Sequence, residues 1–234
     1  MNEENAKLQA LMNTLLPQGK SLRILEAGCG STSHLHLPEN AWLVGIDISL
    51  QQLERHTCLN EKVLGNLQTH EWPSGEFDLI VCWDVLEHLP DPAEAMNRMF
   101  AALRDGGLVV LALPNRNSLK GLITRLTPFA IHAWFYRYII GDKRPRNRLD
   151  QFPTYFRAEV SPTRIRARAT AAGLTTLYYH LYEGPVQSFM RQRNRLVDLA
   201  FGTLSTLSKL LTLGCYNPNH SDFFIVLHKQ GNSS

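Results

Sequence analysis

Two groups of side chains have the types and spacing to do chemistry. Asp84, Glu87 and His88 follow the apolar run Phe77–Trp83 at spacings i, i+3 and i+4, which sets them on one face of a helix, where carboxylates and an imidazole could move a proton or hold an ion. The second group lies earlier. Glu26 precedes a glycine turn, Gly28-Cys29-Gly30, and Asp47 closes the next apolar run, Trp42–Ile46. Glycines let the chain turn sharply while its backbone lies against a ligand. A carboxylate about 20 residues beyond such a turn, at the end of the next strand, is placed to accept from ribose hydroxyls. Turn and acid together predict a nucleoside-like ligand over the carboxyl ends of parallel strands.

The elements that must position these groups can be read in order. Leu8, Leu11, Met12, Leu15 and Leu16 mark a helix over 3–16, stopped by Pro17 and Gly19. Strands are predicted at 22–26, 41–46, 63–64, 77–83 and 108–113, and the crossover after the glycine turn is expected to hold only an abbreviated helix, because it is short and carries Pro38. Ser49 is expected to cap a helix from Leu50, and a further helix is expected at 91–103. The alternation predicts a Rossmann-like seven-stranded α/β sheet, mostly parallel with an antiparallel last strand (FFIVLHK, 223–229) and helices on both faces. We expect one domain over 1–234 with two interruptions. Residues 116–160, rich in aromatics and arginine, are expected to form a helical lid over the carboxyl edge. Residues 184–220 form a second helical insertion, with Leu196, Leu199, Ala200, Leu207, Leu210 and Leu211 on one stripe, most simply explained as core packing. Between the insertions a helix at 161–172, capped by Ser161, and a strand at 174–182 restore the alternation.

Composition narrows the function. With 44% apolar and 19% charged residues, 234 residues can bury a sizeable core, and a formal charge of +3 speaks against a nucleic-acid binder. Cys29, Cys58, Cys82 and Cys215 show no paired spacing, which argues against a disulfide frame or zinc site and fits a reducing cytoplasm. The acidic N-terminus lacks the form of a secretory signal. No window holds the roughly 18 uninterrupted apolar residues of a membrane span. Contact with a membrane surface stays open, since basic Arg191, Arg193 and Arg195 precede the apolar stripe.

The chain resembles the class I S-adenosylmethionine-dependent methyltransferases, in the small-molecule subgroup with a Val-Leu-Glu-His-Leu block after strand four. The matching residues are Glu26 to Gly30, Asp47, Gly65-Asn66-Leu67, Phe77 to Ile80, Val85 to Leu89, Asp105-Gly106-Gly107 and Phe223 to Lys229. Ser31-Thr32-Ser33 stands where the usual third glycine would be, and Asn66 where the usual acid would be. The resemblance implies S-adenosyl-L-methionine as cofactor and S-adenosyl-L-homocysteine as product. It places Glu26 at the methionine end, lets the backbone at Gly28 and Gly30 approach the cofactor, sets Asp47 on the ribose and Ile48, Asn66 and Leu67 around the adenine, and counts Ala27, Cys29, Trp83 and Asp84 among the cofactor-binding residues. Some metal-dependent O-methyltransferases of ubiquinone synthesis and small-RNA end modification carry Glu-x-x-Glu-His at Asp84/Glu87/His88. The plainer reading is a capping box, with Asp84 capping a helix and Glu87 reaching back.

His88 is then the candidate general base. Trp134, Tyr138, Tyr155 and Arg157 are candidate substrate contacts. The expected activity is methyl transfer to a small or lipid-linked acceptor, more on oxygen than nitrogen. The alternatives are a metal-assisted O-methyltransferase and a non-catalytic protein that binds S-adenosyl ligands or a partner.

Overall fold

The computed structural model describes residues 3–126 and 153–231. Seven strands form one sheet: β1 (Arg23–Ala27), β2 (Trp42–Asp47), β3 (Glu61–Leu64), β4 (Phe77–Trp83), β5 (Leu103–Pro114), β6 (Leu174–Tyr182) and β7 (Asp222–Lys229), in the order β3-β2-β1-β4-β5-β7-β6. β1 pairs in parallel with β2 and β4, β2 with β3, and β4 with β5. The last strand is antiparallel, as the sequence leads one to expect. Residues such as Ile24, Leu25, Ile46, Leu79, Ile80, Val109 and Phe224 are fully buried, as strands covered on both faces require.

The strand order reverses its direction of travel between β1 and β4. In open α/β sheets the crevice at such a switch point, outside the carboxyl ends of the strands, is where ligands bind. The glycine turn leaves β1 there, and Trp83 ends β4 beside it.

The helices include α1 (Glu3–Leu15), α2 (Leu50–Arg55), α3 (Pro92–Ala102), α4 (Leu119–Leu126), α5 (Pro162–Ala171), α6 (Pro185–Arg193) and α7 (Arg195–Leu211). Ser49 caps α2 by accepting from Gln52 N–H, and Asp91 caps α3 by accepting from Glu94 N–H, with Pro92 at the first turn. Ser161 sits at the cap position of α5 without a side-chain bond.

Three expectations need correction. The crossover from β1 to β2 has no helix at all: after the glycine turn the chain runs as bends and coil through Pro38. β5 starts at Leu103, not Leu108, with Gly106 at φ +77° and a register shift against β4 between Phe77 and Leu79. The leucine stripe of the second insertion is not core. On α7 only Ser205 is buried, whereas Leu196, Leu210 and Leu211 are 77%, 71% and 76% exposed.

The residues divide into two compact units. One comprises Met1–Leu113, Arg157–His180 and Phe224–Ser234 and carries most of the sheet; the other comprises Pro114–Phe156 and Leu181–Phe223. Polar contacts recur within the second unit. Asn115 donates from Nδ2 to the His220 carbonyl and from its backbone to Ser221, Ser118 Oγ bonds the Asn115 carbonyl, and Gln187 Nε2 bonds the Asn219 carbonyl.

Candidate active site

The glycine turn is tied to the end of β2 by three successive amides. Gly28 N–H and Cys29 N–H both donate to the Ile46 carbonyl, at 2.8 and 3.1 Å, and Gly30 N–H donates to Asp47 Oδ2 at 2.9 Å. Gly28 (φ +73°) has a packing reason as well as a conformational one, since a Cβ there would meet the Val85 side chain at 2.4 Å. This brings the start of the Val85–Leu89 block against the turn, so two of the motifs meet.

Asp47 is buried and does two jobs for the fold. Besides holding Gly30, its Oδ1 accepts from Ser49 N–H at 2.8 Å, ordering the entry to α2. A carboxylate offers about four acceptor positions, so two remain for hydroxyl donors.

Glu26 lies beneath the turn, 4% exposed. Ser33, one of the residues in place of the third glycine, donates to Glu26 Oε2 at 2.8 Å. His56, the residue that ends α2, places Nε2 at 3.3 Å from the same oxygen, without the alignment of a hydrogen bond. Its Nδ1 accepts from Cys58 N–H, so in the neutral ring the proton sits on Nε2 and points toward Glu26. Burial raises the Glu26 pKa against the Ser33 bond, and burial, then Lys62, lowers that of His56. The Cys29 thiol is pushed up to about 12 by burial, with Asp47 and Glu26 adding to it, so it is no nucleophile.

At the end of β4, Trp83 stacks flat on His34 (centroids 4.9 Å, planes 5° apart) and meets Phe224 at 5.2 Å. Asp84 follows with φ +51°, a left-handed conformation that Asp tolerates better than most residues, and its N–H bonds the Ala112 carbonyl. The capping box does not form. Leu86–His88 is a three-residue 3-10 turn whose cap position is Val85, with no side-chain cap bond. Asp84, Glu87 and His88 therefore do not share a helical face. Glu87 is buried, with Oε1 3.8 Å from His88 Nε2, while Asp84 is exposed. Among the described residues no three His, Cys, Asp or Glu side chains converge as a metal site.

The residues expected around the adenine differ in placement. Ile48 is exposed beside Asp47, free to cover a flat ring. Leu67 is buried, so its side chain faces the protein. Asn66 Oδ1 accepts from both Gln68 N–H and Gln68 Nε2 in a tight turn. Ala27 is the buried last residue of β1. Arg157 Nε donates to the Pro90 carbonyl at 3.2 Å, two residues past His88; Tyr155 is exposed. Trp134 and Tyr138 lie outside the described residues. His56 and His34 are missed by sequence reasoning because they belong to no spaced motif, and Ser33 is noted there only as standing in place of a glycine; all three are brought in by the path of the crossover and the exit of α2.

The sequence pattern of one family, described as a methyltransferase domain, matches residues 1–178. The chain belongs to that methyltransferase family. Among curated relatives, a ubiquinone biosynthesis O-methyltransferase of Pseudomonas aeruginosa is 30% identical over 162 residues, covering 65% of this chain and 64% of the relative. The chain thus matches just under two thirds of that protein's length. Among solved structures, a phosphoethanolamine N-methyltransferase of Haemonchus contortus aligns with TM-score 0.59 at 14% identity, over 97% of this chain and 52% of the other. The [4+2]-cyclase SpnF aligns with TM-score 0.58 at 14% identity, over 97% and 81%. At such identities the likeness establishes the fold; a cyclase on the same fold shows why the reaction must be argued from the site.

The cofactor of the methyltransferase family is S-adenosylmethionine, and the residues present fit it. A buried carboxyl and an unaligned buried imidazole N–H lie under a glycine turn, and a second carboxylate with open acceptor positions stands at the neighbouring strand end. Glu26 would hold the amino-acid end and Asp47 the ribose.

Proposed function

We propose that this methyltransferase moves a methyl group from S-adenosylmethionine to an oxygen of a small or lipid-linked acceptor. The observation that supports the reading is the closure of the glycine turn on Asp47, with buried Glu26 at the end of the strand that leads into it; Glu26 would take the amino-acid end and Asp47 the ribose. The likeness to ubiquinone O-methyltransferases supports oxygen as the methylated atom and a lipid-linked acceptor.

The bound cofactor supplies a methyl already activated by its sulfonium. What remains for the protein is alignment, exclusion of water and, for a hydroxyl acceptor, removal of one proton. The Trp83–His34 stack at the end of β4 would offer a flat ring face to the bound groups. His88 takes the hydroxyl proton, and Glu87, 3.8 Å from Nε2, steadies the resulting imidazolium. Arg157, whose Nε donates to the Pro90 carbonyl, would contact an acceptor near the same loop.

The test is transfer of labelled methyl into fractionated metabolites and lipids, with and without EDTA, beside calorimetric binding of S-adenosylhomocysteine. Asp47→Ala should weaken that binding by about 1–3 kcal/mol, the worth of hydrogen bonds to a charged group. Unchanged affinity would remove Asp47 from the ribose. Binding without transfer to any fraction would replace catalysis by a ligand-binding role.

A further inference from the structure

The second insertion turns its leucines outward. Along α7, Leu196, Leu199, Leu207 and Leu210 recur at helical spacing on one side, with Thr203 and Thr206 among them, and all are exposed. Beyond the helix Leu213 is 93% exposed. Leu199, Thr203, Leu207 and Leu210 line an open groove of about 580 Å³ with Arg191 at its edge. Monomeric soluble proteins rarely show water so continuous an apolar stripe, and one bordered by cations marks a contact surface.

We propose that α6 and α7 dock the protein on a membrane surface carrying anionic phospholipid. Residues 185–213 hold four cations (Arg191, Arg193, Arg195, Lys209) against one acid, Asp198, a local excess as large as the +3 of the whole chain. Arg191 pairs with Asp198 and Glu183, each at 2.8 Å. Arg193, Arg195 and Lys209 flank the leucines, and the Arg193 guanidinium lies over exposed Phe189, 6.0 Å from its ring centre. Apolar side chains that enter the acyl boundary, with arginines at the level of the headgroups, are the pattern of a helix lying in a membrane interface. Its 17 residues span about 25 Å. Among the described residues no helix is long and apolar enough to cross a membrane. A second copy is a poorer occupant, because a two-fold contact through this face would set like charges against each other. The docking reading is separate from the methyl-transfer reading, since it is measured without turnover.

The full-length protein is sedimented with vesicles of phosphatidylcholine and of phosphatidylcholine mixed with phosphatidylglycerol, at low and high salt. The wild type should prefer the anionic vesicles by about 10-fold or more and lose that preference as salt rises. Leu207→Glu/Leu210→Glu should abolish binding to both vesicles. Arg193→Gln/Arg195→Gln should weaken the anionic case alone, by roughly 10-fold or more. All four positions are exposed, and circular dichroism melts that match the wild type establish that the variants fold. The inference is overturned if the leucine variant binds as well as the wild type or if charged and uncharged vesicles bind equally. It is equally overturned by no vesicle binding together with a concentration-dependent dimer, or a captured protein partner, that the leucine variant loses.

Discussion

His56 Nε2 stands 3.3 Å from Glu26 Oε2 beneath the glycine turn, with both side chains almost wholly out of water. An ion pair would raise the imidazole pKa and lower the carboxyl. Both groups shift the other way: burial lifts Glu26 past the opposing Ser33 bond, and burial with Lys62 lowers His56. The contact is a neutral ring N–H beside a carboxyl that gives up its proton reluctantly. Glu26 is thereby a stability cost to the folded chain at neutral pH.

Glu26→Gln should raise the melting temperature of the ligand-free protein at neutral pH while weakening S-adenosylhomocysteine binding. A carboxyl held above its ordinary 4.5 binds its proton more tightly in the folded state, so stability declines as pH rises from that value through the raised one. Glutamine still accepts from Ser33 and removes the decline. The lost charged contact should cost about 1.5–3 kcal/mol of binding, roughly 10- to 100-fold. Calorimetry beside a thermal melt reads both, and unchanged affinity would take Glu26 out of the site.

His56→Gln should flatten the acid limb of the stability curve. With its pKa lowered by burial, the folded imidazole takes a proton later than the unfolded one. Its contribution is therefore fully present above the ordinary 6.5 and is lost as pH falls through the lowered value. Urea titrations stepped downward from neutral pH should find the wild type losing stability faster than the variant. Parallel curves would mean that another group sets the slope.

The middle of the sheet was legible because its strands are largely buried and read as apolar runs, FDLIVCW above all. The sharp turn after β1 was legible from its glycines, and the end of β2 from the apolar run that Asp47 closes. Local pattern failed where backbone geometry intervened. Spacing sets Asp84, Glu87 and His88 on one helical face, yet Asp84 is left-handed and only a 3-10 turn follows. The α7 stripe has the period of a core helix, but period says only that leucines share a side, not what lies against it. His56 had no sequence signal, because its partner lies 30 residues away on another element.

At the opposite edge of the sheet, Asp78 should carry the acid sensitivity of the fold. Its Oδ2 accepts from Arg23 N–H at 2.9 Å and from Arg104 Nη1 at 2.8 Å, with Lys20 Nζ 3.4 Å from Oδ1. Burial alone would raise the carboxyl; the Arg23 N–H and the cations outweigh it and hold the pKa below the ordinary 3.8. This stabilisation exists above that value and disappears as pH falls through the lowered one. Asp78→Ala should cost about 1–3 kcal/mol at neutral pH and almost nothing in strong acid. Because the Arg23 donor is a backbone amide and Arg104 is exposed, added salt should change the loss little. Denaturant titrations at both pH values check this, and a loss that persists in strong acid would point to packing rather than charge.

His88 is the last assignment at stake. His88→Ala should leave S-adenosylhomocysteine binding near the wild-type value, because none of the groups placed around the nucleoside depends on the imidazole. Turnover of a hydroxyl acceptor should fall by roughly 10²- to 10⁴-fold, the usual contribution of a positioned base. The wild-type rate should climb with pH as the imidazole gives up its proton. An acceptor that arrives already ionised needs no base, and its turnover should survive His88→Ala. A hydroxyl acceptor turned over at full rate by the alanine variant would leave His88 a rim residue and send the search for the base elsewhere.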